Sequence, residues 1–269
     1  MYARKNTVLE KLKAGEIVLG MENWLRDARV AELLGYAGFD FFHIENEHVG
    51  RDWSEVENMI RTAELMNMTP LYRTEQCFDN QPPVNEIIKA VKLGAQLIMV
   101  PQINTPQAAK MAADAVRLPP RGKRGIATCD RSMKEIFPTP EMPLDIDTYC
   151  NESNDEVMLW CIIETPEAVK NIDEILAVDG VDAVGFGHQD FAMAAGLSRD
   201  AGDAVDAERE KVWEATKRAG KHMWWNTDSI EEAHKQFDRG VQLMLFGCDI
   251  IHLDNSLRDF SKGLRTWKR

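Results

Sequence analysis

The run Met158-Leu159-Trp160-Cys161-Ile162-Ile163-Glu164 is a continuous apolar segment closed by a carboxylate. A strand wetted on one face alternates apolar and polar side chains. An unbroken apolar run of this length belongs to a strand covered on both faces, as in parallel sheets. A carboxylate at the end of such a strand is costly to bury unless something pairs with it. The run Asp182-Ala183-Val184-Gly185-Phe186-Gly187 repeats the pattern, and after a short turn it too is followed by an acid, Asp190. The two acids read either as halves of one site for a hard divalent cation or as local capping groups of the helices that follow.

Working outward from these two runs, strand-like and helix-like segments alternate along the chain. Further strands are expected at Ile17–Met21, Phe39–Glu45, Thr69–Arg73, Leu97–Pro101, His222–Trp225 and Gln242–Gly247, making eight with Met158–Glu164 and Asp182–Gly187. Amphipathic stretches lie between them: Arg26–Tyr36, Trp53–Met66, Val84–Leu93, Pro106–Val116, Thr165–Leu176, Ala207–Ala219 and Ser229–Arg239. Gly94, Gly220 and Gly240 sit where helix C-termini favour glycine. Eight strand–helix units in a chain of 269 residues predict an α/β fold, a (β/α)8 TIM barrel forming a single domain. A doubly wound sheet is the rival, but Gly20-Met21-Glu22-Asn23 is not the glycine-rich phosphate loop that fold places after its first strand. Two segments interrupt the rhythm, the basic loop Pro119–Gly125 and the proline-rich Phe137–Pro143. Loops of that kind are often lids, though a plain surface insertion fits the second equally.

A net charge of −12 argues against a nucleic-acid partner. No apolar run reaches the ~20 residues needed to span a bilayer, and the polar N-terminus has no apolar leader, which argues against a membrane or secretory destination. Five cysteines without CxxC spacing fit reduced thiols in a cytoplasm better than disulfides or zinc.

In a barrel of this kind the C-terminal strand ends form one face, where chemistry gathers. There the sequence places Glu45, Glu47 and His48, then Arg73, Glu164, and the turn Gly187-His188-Gln189-Asp190. A cation on Glu164 and Asp190 would polarise a carbonyl and stabilise an enolate. Arg73 would hold a carboxylate in bidentate fashion. His48, with an ordinary imidazole pKa of ~6.5, would serve as general base. His188, Gln189 and Asp190, at the start of a helix, would offer backbone N–H groups to a carboxylate oxygen, with Gly187 beside them as a further substrate-binding position. Glu45 and Glu47 would orient His48 and the metal's surroundings, and Arg124 would close over an anionic substrate. A carboxylate beside a polarised carbonyl describes a 2-oxo acid. Each residue also has a plainer reading: His48 as a solvated loop histidine, Arg73 as an ion pair with Glu75 or Glu45, Arg124 as part of a solvated basic loop, and His43 as a core histidine.

The segment Phe39-Asp40-Phe41-Phe42-His43-Ile44-Glu45-Asn46-Glu47-His48 resembles the "GFDxxxIDxEH" signature of the HpcH/HpaI family of class II (metal-dependent) pyruvate aldolases. Pro119–Gly125 resembles that family's "PPxGxRG" loop, Ile163–Ala168 its "IETxEA", and Gly180-Val181-Asp182 with Phe186–Phe191 its "GVDxxxIGPxDLS". Order and spacing agree from about Gly20 to Leu257. The resemblance implies a (β/α)8 barrel in homotrimers or homohexamers, with the last helix packed on a neighbour. It implies Mg2+, Mn2+ or Co2+ on Glu164 and Asp190, Arg73 on the oxo-acid carboxylate and carbonyl, and His48 as the base for the aldol hydroxyl. It departs from the family at Glu45 (Asp there), His188 (Pro), Ile162 (Gln) and Lys92 (an Asp supporting the catalytic His across a subunit boundary).

The resulting expectation is a metal-dependent carbon–carbon lyase. It would cleave a 4-hydroxy-2-oxo acid to pyruvate, or a close 2-oxo acid, and an aldehyde. The alternatives are a decarboxylase or other lyase using the same enolate site, and a barrel that binds a small acid without turnover.

Overall fold

The structure, a computed structural model, describes residues 2–134, 143–198 and 201–267. Eight parallel strands close on themselves in chain order: β1 (Val18–Asn23), β2 (Phe41–Glu45), β3 (Thr69–Arg73), β4 (Leu97–Val100), β5 (Met158–Ile163), β6 (Ala183–Phe186), β7 (His222–Asn226) and β8 (Leu243–Cys248). The barrel closes where β8 pairs with β1, Val18 opposite Leu243. Helix α1 (Thr7–Lys13) precedes β1. Helices α2 (Arg29–Tyr36), α3 (Trp53–Leu65), α4 (Val84–Leu93) and α5 (Pro106–Val116) follow the first four strands in turn. Next come α6 (Ile146–Asp155), then α7 (Pro166–Lys170) and α8 (Ile172–Leu176) after β5, and α9 (His188–Ala194) and α10 (Gly202–Arg218) after β6. The order ends with α11 (Ile230–Asp238) after β7 and α12 (Asp249–Arg265) after β8. The barrel expectation holds, and every expected strand is present with its ends shifted by no more than two residues.

Two local differences have physical causes. The expected helix over Thr165–Leu176 breaks at Asn171, whose side-chain amide donates to the Asn104 carbonyl at 2.8 Å. Helix α6 was not anticipated because its buried face is Tyr149, Cys150, Ser153 and Asn154, too polar to leave an apolar stripe. The segment Phe137–Met142 lies outside the described residues.

Two apolar layers flank the sheet. The larger lies between strands and helices. The smaller fills the barrel with Val18, Phe41, Leu71, Met99, Trp160, Ile162, Trp224 and Leu245, and Val8 and Leu12 of α1 plug its N-terminal end. Phe41 and Trp160 meet edge to face, centroids 5.5 Å apart. Such bulk fits because Gly20 and Gly185 offer no side chain: a Cβ on Gly20 would stand 2.1 Å from the Phe41 ring, and one on Gly185 1.7 Å from the Trp224 indole. Overpacking of this kind costs about 1–3 kcal/mol or more. Gly185→Ala is therefore expected to lower Tm by about 3–10 °C, read by thermal unfolding; an unchanged Tm would show that Trp224 has room to move.

Because side chains alternate along a strand, the inward series Val18-Gly20, Phe41-His43 and Leu71 ends at the C-terminal face in Glu22, Glu45 and Arg73. The barrel is thus apolar below and charged at one mouth.

Candidate active site

Glu45 is fully buried at the end of β2. Its Oε1 accepts the His48 N–H at 3.0 Å and its Oε2 accepts from Arg73 Nη1 at 3.2 Å. Arg73 Nη2 also pairs with Glu47. The expected alternative, Arg73 as an ion-pair partner of Glu45, is therefore part of the arrangement, while Glu75 is not its partner. Arg73 Nε is buried and has no hydrogen-bond partner among the described residues. His48, on the turn after β2, places Nδ1 3.6 Å from Glu45 and 3.5 Å from Glu47. Its ring meets Trp24 edge-on at 5.5 Å. Lys92 lies in the last turn of α4, at the barrel end away from the site, so within its own chain His48 has two nearby carboxylates regardless of that departure.

Across the mouth, Glu164 follows β5 and is 2% exposed. Its Oε1 accepts the Gln102 N–H at 2.7 Å, from a backbone held at a φ of 55°. Gly187 leaves room for the other oxygen: a Cβ there would stand 2.4 Å from Glu164 Oε2. The capping reading fails for both acids. Thr165 caps α7 through its own hydroxyl, and the N-cap of α9 is Gly187, with Asp190 inside the first turn. Burial pushes the Glu164 carboxyl up to about 7; Arg73 opposes that, and the charges of Asp190 and Glu47 add to it. Burial likewise raises Glu47.

Neither acid forms a salt bridge among the described residues, and such a carboxylate pair is the donor chemistry a hard divalent ion neutralises, so Glu164 and Asp190 fit a metal. A second set, Glu45, Glu47 and His48, brings three donor atoms within 4.8 Å of one another. Arg73 already compensates both of its glutamates, which makes it the poorer cation site.

Glu164, Asp190, Arg73, Gly187, His188 and Gln189 line one cleft of about 520 Å³. His43 lies below it as a fully buried core residue, its imidazole held neutral by desolvation and by the charges of Arg73 and Arg51. Arg124 is not brought to this site. Its guanidinium is fully buried, donating to the Val116 carbonyl at 3.1 Å and Ser153 Oγ at 2.8 Å. The loop follows α5 rather than a strand, and therefore emerges at the opposite end of the barrel. Lys123 pairs with Asp114 there.

The cleft also contains Glu22, Trp24, Arg209, Trp225 and Asn226, which the sequence reading did not single out. For Glu22 a signal existed: an acid two residues beyond Gly20 and four beyond Val18 continues the inward series of its strand.

The profile of the HpcH/HpaI aldolase/citrate lyase family matches residues 25–253. The chain belongs to that family. A hydroxypyruvate/pyruvate aldolase from Roseovarius nubinhibens is 28% identical over 99% of both chains. A 2-keto-3-deoxy-L-rhamnonate aldolase from Escherichia coli K12 is 26% identical over 96% of this chain and 94% of its own. The crystal structure of an HpcH/HpaI aldolase from Desulfitobacterium hafniense superposes with a TM-score of 0.84 at 26% identity, covering 97% of each chain. This HpcH/HpaI member is a carbon–carbon lyase built on the barrel its relatives use. Among its described residues no helix is long and apolar enough to cross a membrane.

Proposed function

We propose that the protein cleaves a 4-hydroxy-2-oxo acid by a retro-aldol reaction, giving pyruvate (or a close 2-oxo acid) and an aldehyde. The observation that carries this reading is the pair Glu164 and Asp190, free of any capping role and facing Arg73 across one cleft. Glu164 and Asp190 would hold Mg2+, Mn2+ or Co2+, which when bound supplies electrophilic stabilisation of the enolate charge.

The protein's own residues do the rest. The oxo-acid carboxylate pairs with the guanidinium of Arg73, which Glu45 and Glu47 hold in place. His188, Gln189 and Asp190, at the start of α9, line the same cleft, and their backbone N–H groups would meet a carboxylate oxygen; the Gly187 N–H already donates to the Ile163 carbonyl at 3.1 Å. His48, held beside Glu45 and Glu47, accepts the proton of the C4 hydroxyl. As that proton leaves, the C3–C4 bond breaks. Its electron pair passes into the enolate of the oxo acid, and C4 departs as the aldehyde carbonyl. A proton delivered to C3 then completes pyruvate. Burial of Glu164 and Glu45 strengthens the contacts made to their carboxylates.

The test is pyruvate release from a set of 4-hydroxy-2-oxo acids, first with Mg2+ or Mn2+ and then with EDTA. Metal-dependent pyruvate is the expected result; metal bound at the site without pyruvate from any of them would sink the reading.

The assembly proposed is a homotrimer or homohexamer. Helix α12 buries only Asp249, while Leu253, Leu257, Phe260 and Leu264 stand exposed at helical spacing, an apolar stripe suited to a second copy of the chain. Leu257→Glu with Phe260→Glu is expected to shift the sedimentation profile to monomer; an unaltered profile would place the contact elsewhere. Five free thiols, four of them buried, suit a reducing cytoplasm.

A further inference from the structure

The half of the cleft away from Glu164 and Asp190 has a chemistry of its own. Glu22 is the top inward residue of β1. Its Oε2 accepts the Trp24 indole N–H at 3.1 Å, and its Oε1 accepts from Asn226 Nδ2 at 3.3 Å. Asn226 is oriented in turn, its Oδ1 accepting the Gly247 N–H at 3.2 Å. Both donors to Glu22 are neutral, and a carboxylate has about four acceptor positions, so acceptor capacity remains toward the cleft.

Among the described residues no cation pairs directly with Glu22, and the charge of Arg73 opposes its burial only in part. Arg73 is engaged by Glu45 and Glu47. Arg209 pairs with Asp206 at 2.7 Å and lies 4.1 Å over the Trp225 ring. Burial accordingly raises the Glu22 carboxyl above the ordinary range. Pyruvate is far smaller than a cleft of about 520 Å³. With the oxo-acid end at Arg73 and Glu164, the remainder of a 4-hydroxy-2-oxo acid extends toward Glu22.

We propose that Glu22, oriented by Trp24 and Asn226, selects the aldehyde half of the substrate, accepting hydrogen bonds from a neutral hydroxylated aldehyde and rejecting one that carries a carboxylate or phosphate. This rests on the retro-aldol reading. Attraction and rejection both contribute: hydroxyls satisfy the open acceptor positions, and a second anion meets a like charge in a partly dry pocket.

The experiment runs the reaction toward synthesis, with pyruvate, Mn2+ and three aldehydes sharing one three-carbon skeleton: glyceraldehyde, propionaldehyde and glyceraldehyde 3-phosphate. The wild type is expected to favour glyceraldehyde over each of the others by about tenfold or more in kcat/KM. Glu22→Leu is expected to reduce the glyceraldehyde-to-propionaldehyde ratio by about 10- to 100-fold, the range for hydrogen bonds to a charged acceptor. Glu22→Gln keeps an acceptor for Trp24 but not the charge, and is expected to raise the phosphorylated-to-unphosphorylated ratio by at least about tenfold. A merely structural role would depress all three substrates in parallel and leave the ratios in place. Unmoved ratios in either variant, or a wild type that prefers the phosphorylated aldehyde, overturns the proposal. Exchange of the pyruvate methyl protons with deuterated solvent, followed by NMR on the wild type, needs no aldehyde. Exchange with no aldehyde preference overturns the role of Glu22 alone, and neither exchange nor turnover overturns the retro-aldol reading along with it.

Discussion

Glu164→Gln is expected to lower turnover by at least about a thousandfold, since a group that stabilises developing charge contributes several kcal/mol. The change keeps shape and an acceptor for the Gln102 N–H while removing the charge that would hold a cation. Mn2+ affinity, read by titration calorimetry, is expected to fall by at least tenfold. A second signature follows from the raised carboxyl. Its pKa is about 7 in the folded protein against an ordinary 4.5, so folding favours the protonated form. The stability this contributes to metal-free protein is fully present below about 4.5 and is lost as pH rises through about 7. Thermal unfolding of metal-free wild type should therefore show a decline over that window that Glu164→Gln does not share, and Mn2+ should stabilise the wild type most above it. Retention of wild-type Mn2+ affinity and turnover by Glu164→Gln would remove this residue from the site.

Arg73→Lys is expected to lower kcat/KM for pyruvate release by about 100- to 1000-fold, with a rise in KM as well as a fall in kcat. The guanidinium is engaged on two sides at once, Nη1 by Glu45 and Nη2 by Glu47, while the residue lines the cleft. An ammonium is a point charge without that fork. Whichever glutamate it keeps, the substrate carboxylate or the other glutamate goes short. Glu45 is fully buried, so leaving it unpaired also destabilises the fold, by about 3–5 kcal/mol if the pair is broken outright. Steady-state kinetics with a thermal melt on the same preparation separates the two effects. Near-wild-type kinetics for Arg73→Lys would show that one charge suffices and that the fork is incidental.

Much of this was legible because burial leaves a mark in sequence. An apolar run of strand length ending in an acid or a base, as at Glu45, Arg73 and Glu164, marks a strand covered on both faces once it alternates with helices, and the charge then lies at the barrel mouth. Strand β1 left a weaker mark, for Gly20 and Glu22 interrupt its apolar run and the inward series shows only once the barrel is known. Arg124 was misplaced for a different reason. Motif likeness says nothing about which end of a barrel a loop occupies, whereas chain order does: loops after strands reach the C-terminal face, and this one follows a helix. The support for His48 was legible from spacing alone, since Glu45 and Glu47 precede it by three residues and one, and both carboxylates lie beside its Nδ1.

The closure of β8 on β1 sets a schedule for biosynthesis. Val18 pairs with Leu243, and Asp249 bonds the side chain of Asn23 at 2.6 Å and the backbone of Trp24 at 2.8 Å. The first strand of the nascent chain therefore waits for more than two hundred residues of synthesis, on the order of 10–50 s at about 5–20 residues per second, before its neighbour exists. Throughout that interval one edge of β1 and the loop bearing Trp24 have no mate, and half the wall of the cleft is missing. A ribosome stalled before codon 243 holds a chain whose Glu164 and Asp190 are complete but whose Glu22 has nothing to face. The newborn enzyme acquires its two acids early and its second wall only with the final strand.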